Sequence, residues 1–499
     1  MREAYQKIKH TISKHDQIFV FIIMAMGVSI YALNVKFAIT DELWNFSNIY
    51  KMYNGLIIYK DTNVIQTPIF FIIGNCIFKM FGANFLEFKM YNICIFSGLF
   101  LVTYILFKKI NMSKDRAFIN TIIVYLFTAR NIPAGANYTM LTLTIVMIGI
   151  LIENSNIKEK SKFFVQGIII YLITFTKQNI GLYYLVGIMT NNIIKICHEN
   201  NKRNVIINSV IEISVFLVLL VMTVCIMQIK GNLQGFISYS VLGIQEFKQN
   251  MAIETMYSIL NSILMVLFWR VVYKIITKDE KINNNLNFLL IQGVCCLFIQ
   301  YPIVNVYHNT AAMYILVVYM LIVTDKIITK YTRLFKNENI IKNIIIPIMV
   351  TIIIMVAGVN IQNYFKKIKK QENNIFYGTI MEEEDKKDIE LMCNYIQEQH
   401  QKDIDVKVVS YRAMAYMSPL KLNNKDFDLP FLGNMGYKGE DGLIEQISNL
   451  SNTKLLITKD EEDKVYQESS KVREYIMENL EQDGEIGDFM IYKSKIFNK

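Results

Sequence analysis

The chain has 499 residues, of which 53% are hydrophobic, with 12% aromatic side chains and six prolines, and a mean hydropathy of +0.29. That balance excludes a single water-soluble domain, and it fits apolar runs near the roughly 20 residues that cross a bilayer as helix. The net charge of +9 does not read as a nucleic-acid footprint, because the basic residues gather in alternate loops, the pattern of cytoplasmic segments.

The first apolar run, Ile18 to Ala38, follows Arg2, Lys7, Lys9 and Lys14. No small-residue cleavage site follows it, so it reads as a retained anchor with a cytoplasmic amino terminus. The next stretch, Thr40 to Gly82, lies in a first outer loop, 39–90. It opens on two carboxylates, Asp41 and Glu42, and continues with Leu43, Phe46, Ile49, Tyr50 and Tyr53 at helical spacing. The plain reading of the acids is that they end the first span in water. The functional reading is a base for a lipid-borne substrate. Gly55, Tyr59 and Asp61 follow, then Pro68 and the short apolar segment Ile69–Phe81. Spanning there would place Lys108, Lys109, Lys114 and Arg116 outside, so this segment is expected to lie along the outer surface.

Ten further spans are predicted, at Tyr91–Phe107, Phe118–Thr128, Tyr138–Ile152, Phe163–Phe175, Leu182–Ile196, Val205–Met227, Met256–Val272, Leu286–Ile299, Thr310–Thr324 and Ile344–Ile361. With the first they make about 11 transmembrane helices. Some are short enough to imply tilted or partial crossings. From about 362 the composition turns mixed and charged. Helices are predicted at Glu382–Gln399, Gly442–Leu450 and Glu468–Asn479, and strands at Asp405–Ser410, Lys454–Thr458 and Gly487–Lys493. The expected architecture is an α-helical polytopic membrane domain, 1–361, followed by a small α/β domain, 362–499, outside the membrane.

Seven cysteines are scattered without a Cys-x-x-Cys pair, which sets aside zinc-ribbon and redox frameworks. No HExxH, Gly-rich phosphate loop or GxSxG marks a soluble enzyme. The chemistry-bearing residues stand instead at the predicted outer ends of the spans: Asp41-Glu42, the turn from Arg130 to Tyr138, Lys177-Gln178-Asn179, and the stretch from Tyr301 to Asn309 containing His308. A lysine between apolar runs is costly unless it meets an anion or water. Lys177 is therefore a candidate phosphate ligand, with Arg130 and Gln178 beside it. The bland alternative is a lysine reaching for headgroups, and for His308 a buried, satisfied histidine.

Taken in order, Asp41-Glu42, Gly55…Tyr59-Lys60-Asp61, Thr67-Pro68, Phe81-Gly82, Asn137-Tyr138, Lys177-Gln178-Asn179-Ile180-Gly181 and Tyr301-Pro302 with His308 resemble the GT-C superfamily of polyprenyl-phosphate-dependent glycosyltransferases. The likeness is to the family 39 type, which includes protein O-mannosyltransferases and aminoarabinose transferases. It covers roughly residues 15–360. The resemblance implies a sugar donor on a polyprenyl phosphate, an acceptor in the cell envelope, and Asp41 as general base. Glu42 would orient the acceptor or help hold a divalent metal. Lys177, Arg130 and Gln178 would meet the donor phosphate, and His308, Asp61 and Tyr59 the acceptor or metal. The chain departs from the protein mannosyltransferases in having Gln66-Thr67-Pro68 where they carry His-Pro-Pro, and its tail resembles no sugar-binding trefoil. The Lys/Ile/Asn-rich vocabulary fits a bacterial plasma membrane. A transporter or flippase for lipid-linked saccharides is the alternative. It would place ionisable groups near the bilayer midplane.

Overall fold

A computed structural model describes residues 15–37, 41–129, 137–198, 202–243, 253–277, 284–300, 306–331, 341–369, 374–430, 434–459 and 470–497. A helix stands at each of the eleven predicted spans. They are α1 (Asp16–Ala32), α4 (Phe85–Lys109), α5 (Lys114–Ala129), α6 (Tyr138–Glu153), α7 (Glu159–Thr174), α8 (Gln178–His198), α9 (Lys202–Lys230), α11 (Ile253–Thr277), α12 (Asn284–Cys296), α13 (Val306–Tyr331) and α14 (Ile346–Ile368). In the first outer loop stand α2 (Asp41–Tyr53) and α3 (Ile69–Phe81), and after α9 comes a short α10 (Leu233–Phe236) that runs into a π-helical turn, Ile237–Leu242. Among the described residues five stretches are long and apolar enough to cross a membrane: Phe85–Lys109, Gln178–His198, Lys202–Lys230, Val306–Thr329 and Asn343–Ile368.

The chain forms two compact units, and both are discontinuous. The first comprises Met1–Asn34, Asn92–Met222 and Met251–Lys366; the second comprises Val35–Tyr91, Thr223–Asn250 and Lys367–Lys499. The change of composition near 362 therefore divides the chain differently from its contacts.

The first unit is a helical bundle in which small residues let helices close on one another, as apolar solvent around the spans requires. Gly149 faces the Tyr184 hydroxyl so closely that a β-carbon there would lie 2.1 Å away. That hydroxyl donates to Gln166 Oε1 at 2.7 Å, and Gln166 Nε2 donates to the Gly149 carbonyl at 2.9 Å. α12 packs between α8 and α13. At the ends marked by basic loops the cations are paired: Lys108 with Asp16, Arg116 with Asp325 at 3.1 Å, and Lys195 with Glu153 at 2.6 Å.

The second unit is built around α2, which is buried from Glu42 through Lys51. Its Phe46 ring meets Phe78 on α3 and Phe85 and Phe88 on the first turns of α4. Gly74 on α3 abuts Ile49, where a β-carbon would fall 2.4 Å from Cδ1. Besides α10 and the π-helical turn, the unit contains α15 (Glu383–Gln401), β1 (Asp405–Val408), α16 (Ala413–Met417), α17 (Gly439–Ser448), β2 (Thr453–Thr458), α18 (Ser470–Asn479), β3 (Glu481–Ile486) and β4 (Phe489–Lys493). The four strands make one sheet in the order β1-β2-β4-β3, with β1 parallel to β2 and the other pairs antiparallel. Its core includes Val409, Phe427, Leu443, Ile447, Leu455, Ile457 and Ile476. The three strands predicted from sequence are β1, β2 and β4. The fourth, β3, was not expected: EQDGEI is polar, lies at the sheet edge and carries a bulge at Gln482/Gly484, so it lacks the apolar alternation that marks a strand.

The first loop and the tail are joined by backbone as well as side chains. Phe37 N donates to Ile380 O, Phe85 N to Ile375 O and Leu86 N to Tyr377 O, so the segment before α15 caps the free N–H groups of α4.

Candidate functional site

The two acids at the head of α2 divide. Successive helix positions do not face each other, and here Asp41 is exposed whereas Glu42 is 8% exposed. Both gain from the positive end of the helix dipole. Glu42 lies near Lys89, and its Oε1 is buried without a hydrogen-bond partner among the described residues. Burial pushes its carboxyl up to about 7, while the Lys89 ammonium pulls it back. Lys89 is itself fully buried and donates to the Val35 carbonyl at 3.2 Å. Asp41 is thus presented outward on a helix whose next residue is held inside.

Tyr59 and Asp61 serve the turn that follows. Tyr59 has a left-handed backbone, φ 66°. It donates its hydroxyl to Gln66 O at 2.7 Å and sets its ring edge-on to Phe236. Burial raises the pKa of that phenol. Asp61 Oδ2 accepts from Ile57 N at 2.7 Å, closing the turn. Both residues belong to the second unit, with Asp41 and Glu42.

Lys177, Gln178 and His308 belong to the first unit. Lys177 occupies the break between α7 and α8, donating to Thr139 Oγ1 at 2.8 Å and standing 5.1 Å over the Tyr138 ring. Asn137 caps α6 by accepting from Thr139 N at 2.7 Å, and it also accepts from the Tyr307 hydroxyl. Tyr307 and His308 meet edge to face at 5.4 Å, and Lys177 is within electrostatic reach of His308. Asn137, Tyr138, Thr139, Lys177, Tyr307 and His308 therefore converge, although they come from three separate stretches. Gln178 opens α8 in a half-buried position. Arg130 lies outside the described residues, as does Tyr301-Pro302.

The arrangement offers an exposed carboxylate on a fixed helix, and in the other unit a cation held by a hydroxyl and an aromatic face. Among the described residues no three His, Cys, Asp or Glu side chains stand together as a metal site. Three residues escaped the sequence reading. Lys89 sits between Phe88 and Met90 in an apolar run, the same signal that singled out Lys177. Lys51 and Asp428 gave no such signal.

No protein-family model matches the sequence, and no curated protein matches it. In fold, the chain is similar to ArnT from Cupriavidus metallidurans in the apo state. The TM-score is 0.57 over 96% of this chain and 98% of that one, at 7% sequence identity. The fold is that of a polytopic α-helical membrane protein with a small sheet domain at its carboxyl end.

Proposed function

We propose that the protein is a membrane glycosyltransferase that moves a sugar from a polyprenyl-phosphate donor to an acceptor hydroxyl at the outer face of the plasma membrane. The observation that carries this reading is the exposed Asp41 at the head of a buried helix, in a chain with the GT-C-like fold. Asp41 takes the proton from the acceptor hydroxyl as its oxygen attacks the anomeric carbon in line. The carbon–oxygen bond to phosphate breaks on the opposite side, the configuration inverts, and polyprenyl phosphate leaves. Lys177 stabilises the charge that develops on the leaving phosphate, with Arg130 and Gln178 as further donors. His308 supplies a hydrogen bond beside Lys177. A carboxylate of ordinary pKa suffices for this task once it is held within hydrogen-bond reach of the hydroxyl. In this reading the amino terminus is cytoplasmic and the sheet domain lies outside.

The test uses purified protein in nanodiscs with extracted native lipids and cell-envelope acceptor fractions. Mass spectrometry follows loss of glycosyl polyprenyl phosphates and release of the free phosphate. Wild type is expected to turn over and Asp41→Asn to lose about 10²–10⁴-fold in rate. Equal rates would remove Asp41 as the base, and no turnover by wild type would remove the transferase. The transporter reading draws on one feature: Glu212 of α9 is 2% exposed, accepting from Asn192 Nδ2 at 2.9 Å. An ionisable group inside a span is what such a protein needs. A flippase would move labelled lipid between leaflets without consuming it.

A further inference from the structure

The acid-bearing helix is held by the carboxyl-terminal domain through charge. Lys51 lies on α2, ten residues after Asp41, and forms an ion pair with Asp428; the side chains are 5% and 0% exposed. Asp428 Oδ1 also accepts from Asn424 Nδ2 at 3.0 Å, and its carbonyl accepts from Asn63 Nδ2 at 2.9 Å. One turn back on the same face of α2, the Ser47 hydroxyl meets that of Ser418 at 3.0 Å, again buried. All these groups belong to the second unit.

A buried ion pair is a poor source of net stability, because desolvating both charges offsets most of their attraction, and two apolar residues often do as well. What the pair supplies is register. Sliding α2 by one turn, about 5.4 Å, would strand an ammonium and a carboxylate in an apolar interior, whereas an apolar contact would tolerate partial slippage. A helix is stiff over ten residues, a distance of about 15 Å, so the point where Lys51 is clamped sets where Asp41 is presented.

We propose that Lys51 and Asp428 are positioning residues, through which the carboxyl-terminal domain sets the place of the proposed catalytic carboxylate Asp41. The proposal rests on the transferase reading above. It assigns the carboxyl-terminal domain a part in the reaction although that domain contributes no group to the chemistry.

The experiment compares full-length wild type, Lys51→Met, Asp428→Asn and the apolar pair Lys51→Met/Asp428→Leu in nanodiscs, with native lipid extract at graded dilution as the donor probe. Both single variants are expected to lose at least tenfold in saturating rate, with the half-saturating dilution within twofold of wild type. Amide exchange across 41–53 is expected to rise at least tenfold in each. The apolar pair is expected to regain the thermal midpoint of wild type and to stay slow. Wild-type turnover by the apolar pair would overturn the proposal, since the contact would then be packing alone. Unchanged exchange across α2 in the single variants would overturn it as well. No turnover by the wild type would remove the transferase reading instead, and the exchange result, obtained without substrate, would still decide whether the pair clamps α2.

Discussion

Asp41 and Glu42 show how far adjacent residues can differ in environment, and Glu42 carries a pH dependence with a definite sign. Its folded pKa of about 7 lies above the ordinary 4.5 because burial disfavours the charge, with Lys89 opposing. The folded state therefore holds a proton that the unfolded chain gives up. The associated stability is fully present below about pH 4.5 and is lost as pH rises through 7. Removing Glu42 alone would leave the Lys89 ammonium buried without its neighbouring charge, so the informative variant is Glu42→Gln/Lys89→Met. Thermal unfolding of wild type should fall between pH 5 and pH 8 relative to this double variant. A constant difference across that window would mean that Glu42 titrates normally. At this scale the sequence was legible where cost was visible. Lys177 stood out because a cation between apolar runs needs a reason, and the structure gives it Thr139 and the Tyr138 face. Lys51 was illegible, since Tyr50-Lys51-Met52 reads like any helix surface and its partner lies 377 residues away.

Helices were the legible elements, because each long apolar run satisfies its own backbone and needs no distant partner to exist. Elements defined by their neighbours were not. β3 is a strand only because β4 pairs with it, and α16, though buried throughout, is too short for a period. The joint between the tail and α4 belongs to this second kind. Gly378 has φ +97°, and a β-carbon there would lie 2.5 Å from Leu86 N and 2.6 Å from its Cα. Backbone cannot swing aside as a side-chain tip can, and Leu86 N is already committed to the Tyr377 carbonyl. Gly378→Ala should cost about 2 kcal/mol or more, from overpacking together with an unfavourable φ. Gly358→Ala on α14, with open space around the position, should be close to neutral. Comparing the two thermal midpoints, with amide exchange at Phe85 and Leu86, checks the assignment. A Gly378→Ala protein as stable as wild type would mean the tail does not cap α4 in this way.

At the scale of the whole molecule, composition separates an apolar part from a charged part near 362, but packing follows other lines. A charged segment such as 374–430 advertises its solubility, not what it covers. The surface it covers is Val35–Tyr91, more than 270 residues earlier. Mixed charge reads as an appended domain, whereas the contacts make that domain one side of the enclosure around α2. This has a consequence for truncation, which should be judged from buried groups and not from sequence position. A chain ending at Lys366 would remove Asp428 from Lys51 and Ser418 from Ser47, open that face of α2 to water, and remove the carbonyls that meet Phe85 N and Leu86 N. Each of these contacts, and the apolar cover around them, is lost together, leaving α2 and α3 as a two-helix loop without the surface that buries them. The truncated protein should insert its spans, since those depend on their own apolar runs, yet show amide exchange across 41–53 at unfolded rates. Supplying 367–499 as a separate chain in the same cell should restore protection. If the truncated chain protected α2 as well as the full chain does, the domain would be an appendage after all, and the clamp on Asp41 would fall with it.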